Sequence, residues 1–506
     1  MRSLHFFVLW LAILVDVAPA AQFFVAPGGS DASPGSSASP WATLQHAANV
    51  VGPGDRVTAR PGNYTGFNFT TSGTAISPIE FFAEPGVLIN QRNAVTPDGI
   101  NLESASYVTI DGFSVKNMPR AGIRAAALPA AGMNHVTIRN VRAADNAYWG
   151  VFTGFVDDLL IESNETSGSI VEHGIYVSNS GDRPVIRNNL VWGNRGNGIH
   201  MNGDVSQGGD GVISNALVSG NVIHDNGLGG GSGINMDGVR NSRLENNLLY
   251  KNHASGISIY QGDGGAPSTG NVVVNNTVHQ PSDGRWALNI QDAATNNTIL
   301  NNILVSDHAF RGAIDVSADS LSGLVSDYNV VAPRFTTNGG TSILNLAQWQ
   351  TLTGQDLHSI ASTAAALFVN PAAGDDRLRP AVAAIDLGTS LQAPAFDLAG
   401  APRPFGLRVD AGAYEFGAAP LSADFNFSGA VDAADLGPWR ARFGLIGPQG
   451  DATGDFQTDG NDLLAWQRQL GGFSGALSAI VPEPPTSAAF WWIVGSLARG
   501  IGHRRR

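Results

Sequence analysis

Between about residues 136 and 316 the chain repeats one pattern. Three or four residues carry apolar side chains at alternate positions, a polar turn follows, and another such run begins. Gly174-Ile175-Tyr176-Val177, Gly198-Ile199-His200-Met201, Gly233-Ile234-Asn235-Met236 and Gly256-Ile257-Ser258-Ile259 share it. Ala287-Leu288-Asn289-Ile290 and Ala313-Ile314-Asp315-Val316 keep the register. A side-chain period of two is that of a strand, and it places Ile175, Val177, Ile199, Met201, Ile234, Met236, Ile257 and Ile259 on one face. Half a period away, an asparagine closes a second set of runs: Asn140, Asn164, Asn189, Asn221, Asn247, Asn276, Asn302 and Asn329. The spacings are 24, 25, 32, 26, 29, 26 and 27 residues. Strands this short cannot bury a face alone, so equivalent strands stack coil on coil around one core. The pattern predicts eight to ten such coils. Asparagine at the bends can bond coil to coil, and it tolerates the left-handed backbone that bends need.

The register also fixes what points outward. One column is Tyr176, His200, Asn235, Ser258, Asn289 and Asp315; the next is Ser178, Asn202, Asp237, Tyr260, Gln291 and Ser317. Stacked strands lie about 4.8 Å apart, so Tyr176, His200, Asn202, Asp237 and Tyr260 should cluster on adjacent coils. His173 and Glu172 lie just before the same strand row, and His253 just before its own. The longest coils add Gly203–Gly211 and Gln261–Gly270 beside this patch. Such Gly- and Asp-rich loops can wall a cleft, with Asp204, Asp210, Asp237 and Asp263 as oxygen ligands for a cation.

Composition narrows the function. The 506 residues include 62 Gly, no Cys and only 14% charged residues. That excludes disulfides, thiolate metal sites and a Cys nucleophile, and it excludes a coiled coil. The net charge is −13 and Lys occurs twice, at Lys116 and Lys251. Without a basic face to neutralise phosphates, a nucleic-acid partner is excluded.

Two flanking stretches complete the picture. Phe24–Asp31, Pro40–Leu44, Gly54–Val57 and Arg60–Tyr64 precede the repeats; Arg379-Pro380, Ile385–Gly388 and Asp410–Glu415 follow them. With the repeats, these resemble the beginning and ending of secreted bacterial right-handed parallel β-helices of the pectate-lyase-like superfamily, over roughly residues 23–415. The resemblance implies an all-β, single-stranded right-handed parallel β-helix, with Gln45–Val51 as the helix that caps the open end.

Residues 424–435 (DFNFSGAVDAAD) set Asp424, Asn426, Ser428, Asp432 and Asp435 at positions 1, 3, 5, 9 and 12 of an EF-hand-type loop. Twenty-seven residues on, Asp451, Thr453, Asp455, Asp459 and Asp462 repeat it, with Phe456 where Gly is usual. Each loop leads into one helix. The pair resembles a type I dockerin, which implies Ca2+ and a cohesin-like or envelope partner. Residues 1–20 have a positive start, an apolar run and Ala18-Pro19-Ala20, the pattern of a secretory signal peptide. Val481-Pro482-Glu483-Pro484, the apolar Ala488–Ala498 and the terminal arginines resemble a PEP-CTERM sorting tail, which implies exosortase-type machinery. The expected segments are 1–21 signal peptide, 22–420 β-helix, 421–472 paired Ca loops and 473–506 linker and sorting segment. The protein is expected to be exported, held at the cell surface or outer envelope or released.

The superfamily resemblance implies a long outward face that suits linear polysaccharides. A lyase on uronate-containing glycans is favoured. β-Elimination needs a counter-charge for the carboxylate, a base for the C5 proton and an acid for the leaving oxygen. The catalytic candidates are His200, Asp237, Tyr260, Lys251 and His173. Tyr176, Asn202, Asn235, Gln291 and Arg285 are the substrate-binding candidates. Asp237 with Asp204 or Asp210 would instead form an acid/base pair for hydrolysis. A C5-epimerase, and a non-catalytic glycan-binding or envelope scaffold, remain alternatives.

Overall fold

Apolar residues at alternate positions of runs too short to fold alone leave one solution, a stack. In the computed structural model these runs form three parallel sheets of 12, 12 and 11 strands, a parallel β-helix. The first sheet runs from Gln22–Val25 to Val325–Asp327, the second from Gly62–Thr65 to Ile360–Ala361, the third from Phe67–Phe69 to Phe335–Thr336. The structure describes residues 20–417, 422–426, 431–444, 450–453 and 457–470. The expected signal peptide (save its last two residues) and the sorting tail lie outside them, as do the loop positions Ser428 and Asp455. Among the described residues no helix is long and apolar enough to cross a membrane.

The stack has more coils than the eight to ten expected. The early coils fill their core with Phe67, Phe69, Phe81 and Phe113 and carry no asparagine line, so the repeat was invisible there. Where the line exists, the inward residues are as expected. Ile175, Val177, Ile199, Met201, Ile234, Met236, Ile257 and Ile259 are all no more than 1% exposed.

The asparagines are wired amide to amide. The Asn221 backbone N–H and Nδ2 both donate to Asn247 Oδ1 (3.1 and 2.9 Å), and Nδ2 also donates to the Ile186 carbonyl (2.9 Å). Its own Oδ1 accepts from the backbone N–H and Nδ2 of Asn189 (3.0 and 2.9 Å). The same wiring links Asn164 to Asn189, Asn247 to Asn276 and Asn276 to Asn302. Asn140 is a correction. It has φ 53° and bonds Asp111, while Val141 takes the ladder position by donating to Asn164 Oδ1. The left-handed residue is thus the one before the ladder asparagine, as at Asn188, Asn246, Asn275 and Asn301. A second ladder runs through Asn194, Asn226 and Asn252, each five residues after a first-line asparagine.

Both ends are closed. The helix Leu44–Val50, N-capped by Thr43, buries Leu44, Ala47 and Ala48 over the first coils. It begins and ends one residue earlier than expected. At the far end the helix Leu346–Thr353 buries Trp349, whose ring stacks on Phe335 at 5.1 Å. Beyond it, Leu367, Phe368 and Leu378 pack on Ile303, Val305 and Val330 of the second sheet. A buried ion pair, Arg403 with Glu415 at 2.8 Å, fastens the ending.

A ladder asparagine spends every donor and acceptor inside the stack. Replacing Asn221 by Ala is expected to cost about 2–4 kcal/mol, since several buried groups lose their partners. Asn140→Gly, which keeps the left-handed turn, should cost under about 1 kcal/mol. Chemical denaturation of both variants checks the contrast; equal losses would contradict the ladder's role.

Candidate functional site

The third sheet presents the candidate face. Its rungs pair Phe152 with Tyr176, Tyr176 with His200, His200 with Asn235, Asn235 with Ser258, Ser258 with Asn289 and Asn289 with Asp315. The neighbouring column pairs Ser178 with Asn202, Asn202 with Asp237 and Asp237 with Tyr260. Tyr176, His200, Asn202, Asn235, Asp237 and Tyr260 therefore share one face.

Two aromatic residues extend it. Trp149 lies 4.6 Å from Phe152 and 5.9 Å from Tyr176, with its Nε1 donating to Glu172 at 2.8 Å. Neither was singled out in the sequence, although Gly150-Val151-Phe152-Thr153 continues the Gly-Ile-Tyr-Val pattern by one coil.

Beneath Tyr176 lie His173 and His200. The Asn197 backbone N–H donates to His173 Nδ1 at 3.0 Å, which makes that nitrogen the acceptor and puts the proton on Nε2. His173 Nε2 then donates to His200 Nδ1 at 3.1 Å, and the His200 proton falls on Nε2. That nitrogen is buried without a partner. The Tyr176 ring stacks on His200 at 4.8 Å. Burial pushes His173 down to about 4 and His200 well below its ordinary value, so both rings are neutral near pH 7.

The tyrosines are shifted the other way. Burial raises Tyr176, whose hydroxyl accepts from Asn202 Nδ2 at 3.1 Å. Burial, reinforced by the Asp237 and Asp263 charges, pushes Tyr260 up to about 12. Both phenols keep their protons.

Two expected catalytic residues have other places. Asp237 is 2% exposed and accepts from the backbone N–H groups of Gly262, Asp263 and Gly264 at 2.8, 2.8 and 3.0 Å. Its carboxylate anchors the loop, with both oxygens engaged by these N–H groups. Lys251 is not on this face. It follows the second-sheet strand Leu248–Tyr250 and lines a different cavity with His279 and Asp307. Arg285 is exposed in the turn before its strand. Gln291 donates to Asn289 Oδ1 at 3.0 Å, and Asn235 to Asn197 Oδ1 at 3.1 Å. His253 pairs with Asp283 at 2.7 Å.

The loop carboxylates do not converge on one ion. Asp204 caps the turn Val205–Gln207, Asp210 accepts from the Val212 N–H at 3.0 Å, and Asp263 meets Asn202 at 3.4 Å. Among the described residues no three His, Asp or Glu side chains are gathered to hold a metal.

In the C-terminal loops the described residues around the last carboxylate are arranged alike. Asp435 accepts from the backbone N–H groups of Asn426 and Asp432 at 3.1 and 2.8 Å. Asp462 does the same for Ala452, Thr453 and Asp459. Both carboxylates are fully buried and turned into their loops, the orientation a position-12 ligand needs. Asp424 lies at the first position of its loop, 7% exposed. Asp432 and Asp459 also cap the helices that follow. Trp466 Nε1 donates to the Asp432 carbonyl (2.8 Å), and Trp439 Nε1 to that of Asp459 (3.2 Å).

Residues 23–168 match the family model of the Pel9A-like right-handed β-helix region, and residues 169–322 that of the right-handed β-helix region. Among solved structures the chain is similar to pectate lyase Pel9A, at 16% identity and TM-score 0.55, covering 79% of this chain and 97% of that one. A rhamnogalacturonan lyase follows at 15% identity and TM-score 0.45, covering 71% and 94%. The A-module of the mannuronan C-5 epimerase AlgE6 from Azotobacter vinelandii is 16% identical at TM-score 0.41, covering 63% and 92%. No curated protein matches. The two family models and the likeness to Pel9A establish the fold, a right-handed parallel β-helix.

The depressed His173 gives a pH prediction. Its folded value of about 4 lies below the ordinary 6.5, so the unfolded chain binds the extra proton between those values. Stability contributed by the neutral ring is complete above pH 6.5 and is lost as pH falls towards 4. About 2 kcal/mol should disappear between pH 7 and 5, and less in His173→Gln. Denaturant midpoints at the two pH values check it.

Proposed function

We propose that this chain is an exported polysaccharide-active protein that binds an extended, uronate-containing glycan along the third-sheet face and cleaves it by β-elimination. The observation that carries the reading is a protonated phenol, Tyr176, stacked on a neutral imidazole pair at the end of an aromatic strip, with a second protonated phenol, Tyr260, in the neighbouring column of the same face. Trp149, Phe152 and Tyr176 offer apolar ring surface to sugar C–H faces. Tyr260, held protonated, supplies the proton to the leaving oxygen. His200 is the base for the C5 proton. For this, the His173–His200 bond opens as substrate binds and frees the His200 Nδ1 lone pair. The electron pair left at C5 forms the C4–C5 double bond as the C4–O4 bond breaks. Arg285 is the exposed cation assigned to the uronate carboxylate.

One observation favours a second reading, glycan binding without turnover: both imidazole lone pairs are already engaged by hydrogen bonds. Incubation with pectate, alginate and glycosaminoglycans separates the two. The lyase reading expects ultraviolet absorbance from the unsaturated product, reduced about 10²–10⁴-fold in Tyr260→Phe and His200→Asn. Binding without absorbance supports the second reading, and new reducing ends without absorbance point to hydrolysis.

We also propose that residues 421–472 are dockerin-like paired Ca loops that engage a cohesin-like or envelope partner, and that residues 473–506 are a sorting tail read by exosortase-type machinery. The carboxylates of Asp435 and Asp462, buried and turned into their loops, support the metal. With Asp424, Asn426, Asp432, Asp451, Thr453 and Asp459 they would hold Ca2+, which would neutralise their charge. Calorimetric titration of the full chain should show heat of Ca2+ binding that Asp435→Ala and Asp462→Ala each diminish; no heat at millimolar Ca2+ would remove the claim.

A further inference from the structure

The second sheet carries a cavity, apolar over most of its lining with a few charged groups, that the glycan face does not use. Its rungs pair Trp192 with His224, His224 with Tyr250 and Tyr250 with His279. Trp192, His224 and Tyr250 stack ring on ring, at 6.1 and 4.7 Å. His224 is held between the two larger rings, and the column supports Tyr250 from one side. It fixes Tyr250, and with it Lys251, which holds a left-handed turn at φ 53°.

At the foot of the column a cavity of about 330 Å³ opens between this turn and the returning C-terminal segment, lined by Lys251, His279, Ser282, Asp307, Ala365 and Pro371 among others. Its volume is near the lower end of ligand pockets, ~300–1,000 Å³. His279 is wedged between two carboxylates, with Nε2 3.1 Å from Asp307 and Nδ1 3.4 Å from Asp376. The Asp376 side chain is fully buried and neither of its oxygens has a hydrogen bond. Burial alone would lower the imidazole, but Asp376 and then Asp307 raise it above its ordinary value. The ring thus lies between the two carboxylates, and Asp376 is the stronger of the two pulls towards its protonated form. Across the mouth remain one ammonium, Lys251, without an ion pair among the described residues, and one half-exposed carboxylate, Asp307.

We propose that this cavity is a second ligand site, which binds a single hexuronate ring through its carboxylate at Lys251 and its hydroxyls at Asp307 and Ser282. The small apolar side chains of Ala365 and Pro371 fit the C–H face of a pyranose. A carboxylate and several hydroxyl donors on one ring complement an ammonium facing a carboxylate. The site stands apart from turnover on the third-sheet face.

The test is calorimetric titration of the full chain with D-galacturonate, D-glucuronate, D-glucose and glutamine. Saturable binding of a hexuronate is expected, with glucose weaker by about tenfold or more. Lys251→Ala should weaken it by a similar factor and Lys251→Arg should largely restore it, with thermal midpoints confirming folded variants. Asp307→Asn should also weaken binding, and Tyr260→Phe should leave it unchanged, which separates this site from the other face. The proposal is overturned by absent hexuronate binding, by binding unaffected in Lys251→Ala, by loss in Tyr260→Phe, or by glutamine binding as tightly.

Discussion

The fold depends on one interaction, the side-chain amide that satisfies the backbone of the next coil. Every bend of a β-helix turns peptide groups away from the sheets, and a buried unpaired peptide group is costly. Asparagine solves this because it carries both a donor and an acceptor at the reach of one coil. In the middle of each ladder the amide oxygen takes two donors from one neighbour, while the amide nitrogen reaches the other neighbour and a strand carbonyl back in the first neighbour's coil. Along the coils that carry the ladders, turn geometry and the placing of the outward residues follow from that alignment.

The candidate face shows what a fixed register does for chemistry. His200 sits under Tyr176 because their strands are one coil apart and in step. His173 reaches His200 because it leaves the preceding coil at the start of the same strand row. Burial then sets the charge states, neutral for both imidazoles and both phenols. None of this requires a special backbone in the strands themselves. The special geometry is in the loops, where three consecutive N–H groups wrap the Asp237 carboxylate.

What was legible in the sequence was whatever repeats. Alternation identified the core positions and both outward columns, because a period of two leaves no freedom about facing. The asparagine line located the bends, but not which residue of each bend makes the ladder: Asn140 takes the left-handed position before it, and Val141 behind it joins only through its backbone N–H. The aromatic-rich early coils were illegible because shape, and not amide chemistry, holds them together. The same limit applied to the site. Asp237 looked free because the loop that consumes it folds back from 25–27 residues away. Lys251 looked central by residue count, yet it follows a strand of a different sheet. His279 and Asp376 are 97 residues apart, so no spacing could have joined them.

The ladder bond from Asn189 to Asn221 spans 32 residues and that from Asn164 to Asn189 spans 25, yet both measure 3.0 Å. Coil length is therefore invisible to the scaffold. The additional residues leave as a loop between two rungs and return without disturbing either. Selection can thus lengthen, shorten or exchange the walls of the groove one coil at a time, while folding is left to the unaltered rungs. The molecule works like a rack whose slots accept different fittings, which is how one scaffold can carry many different surfaces.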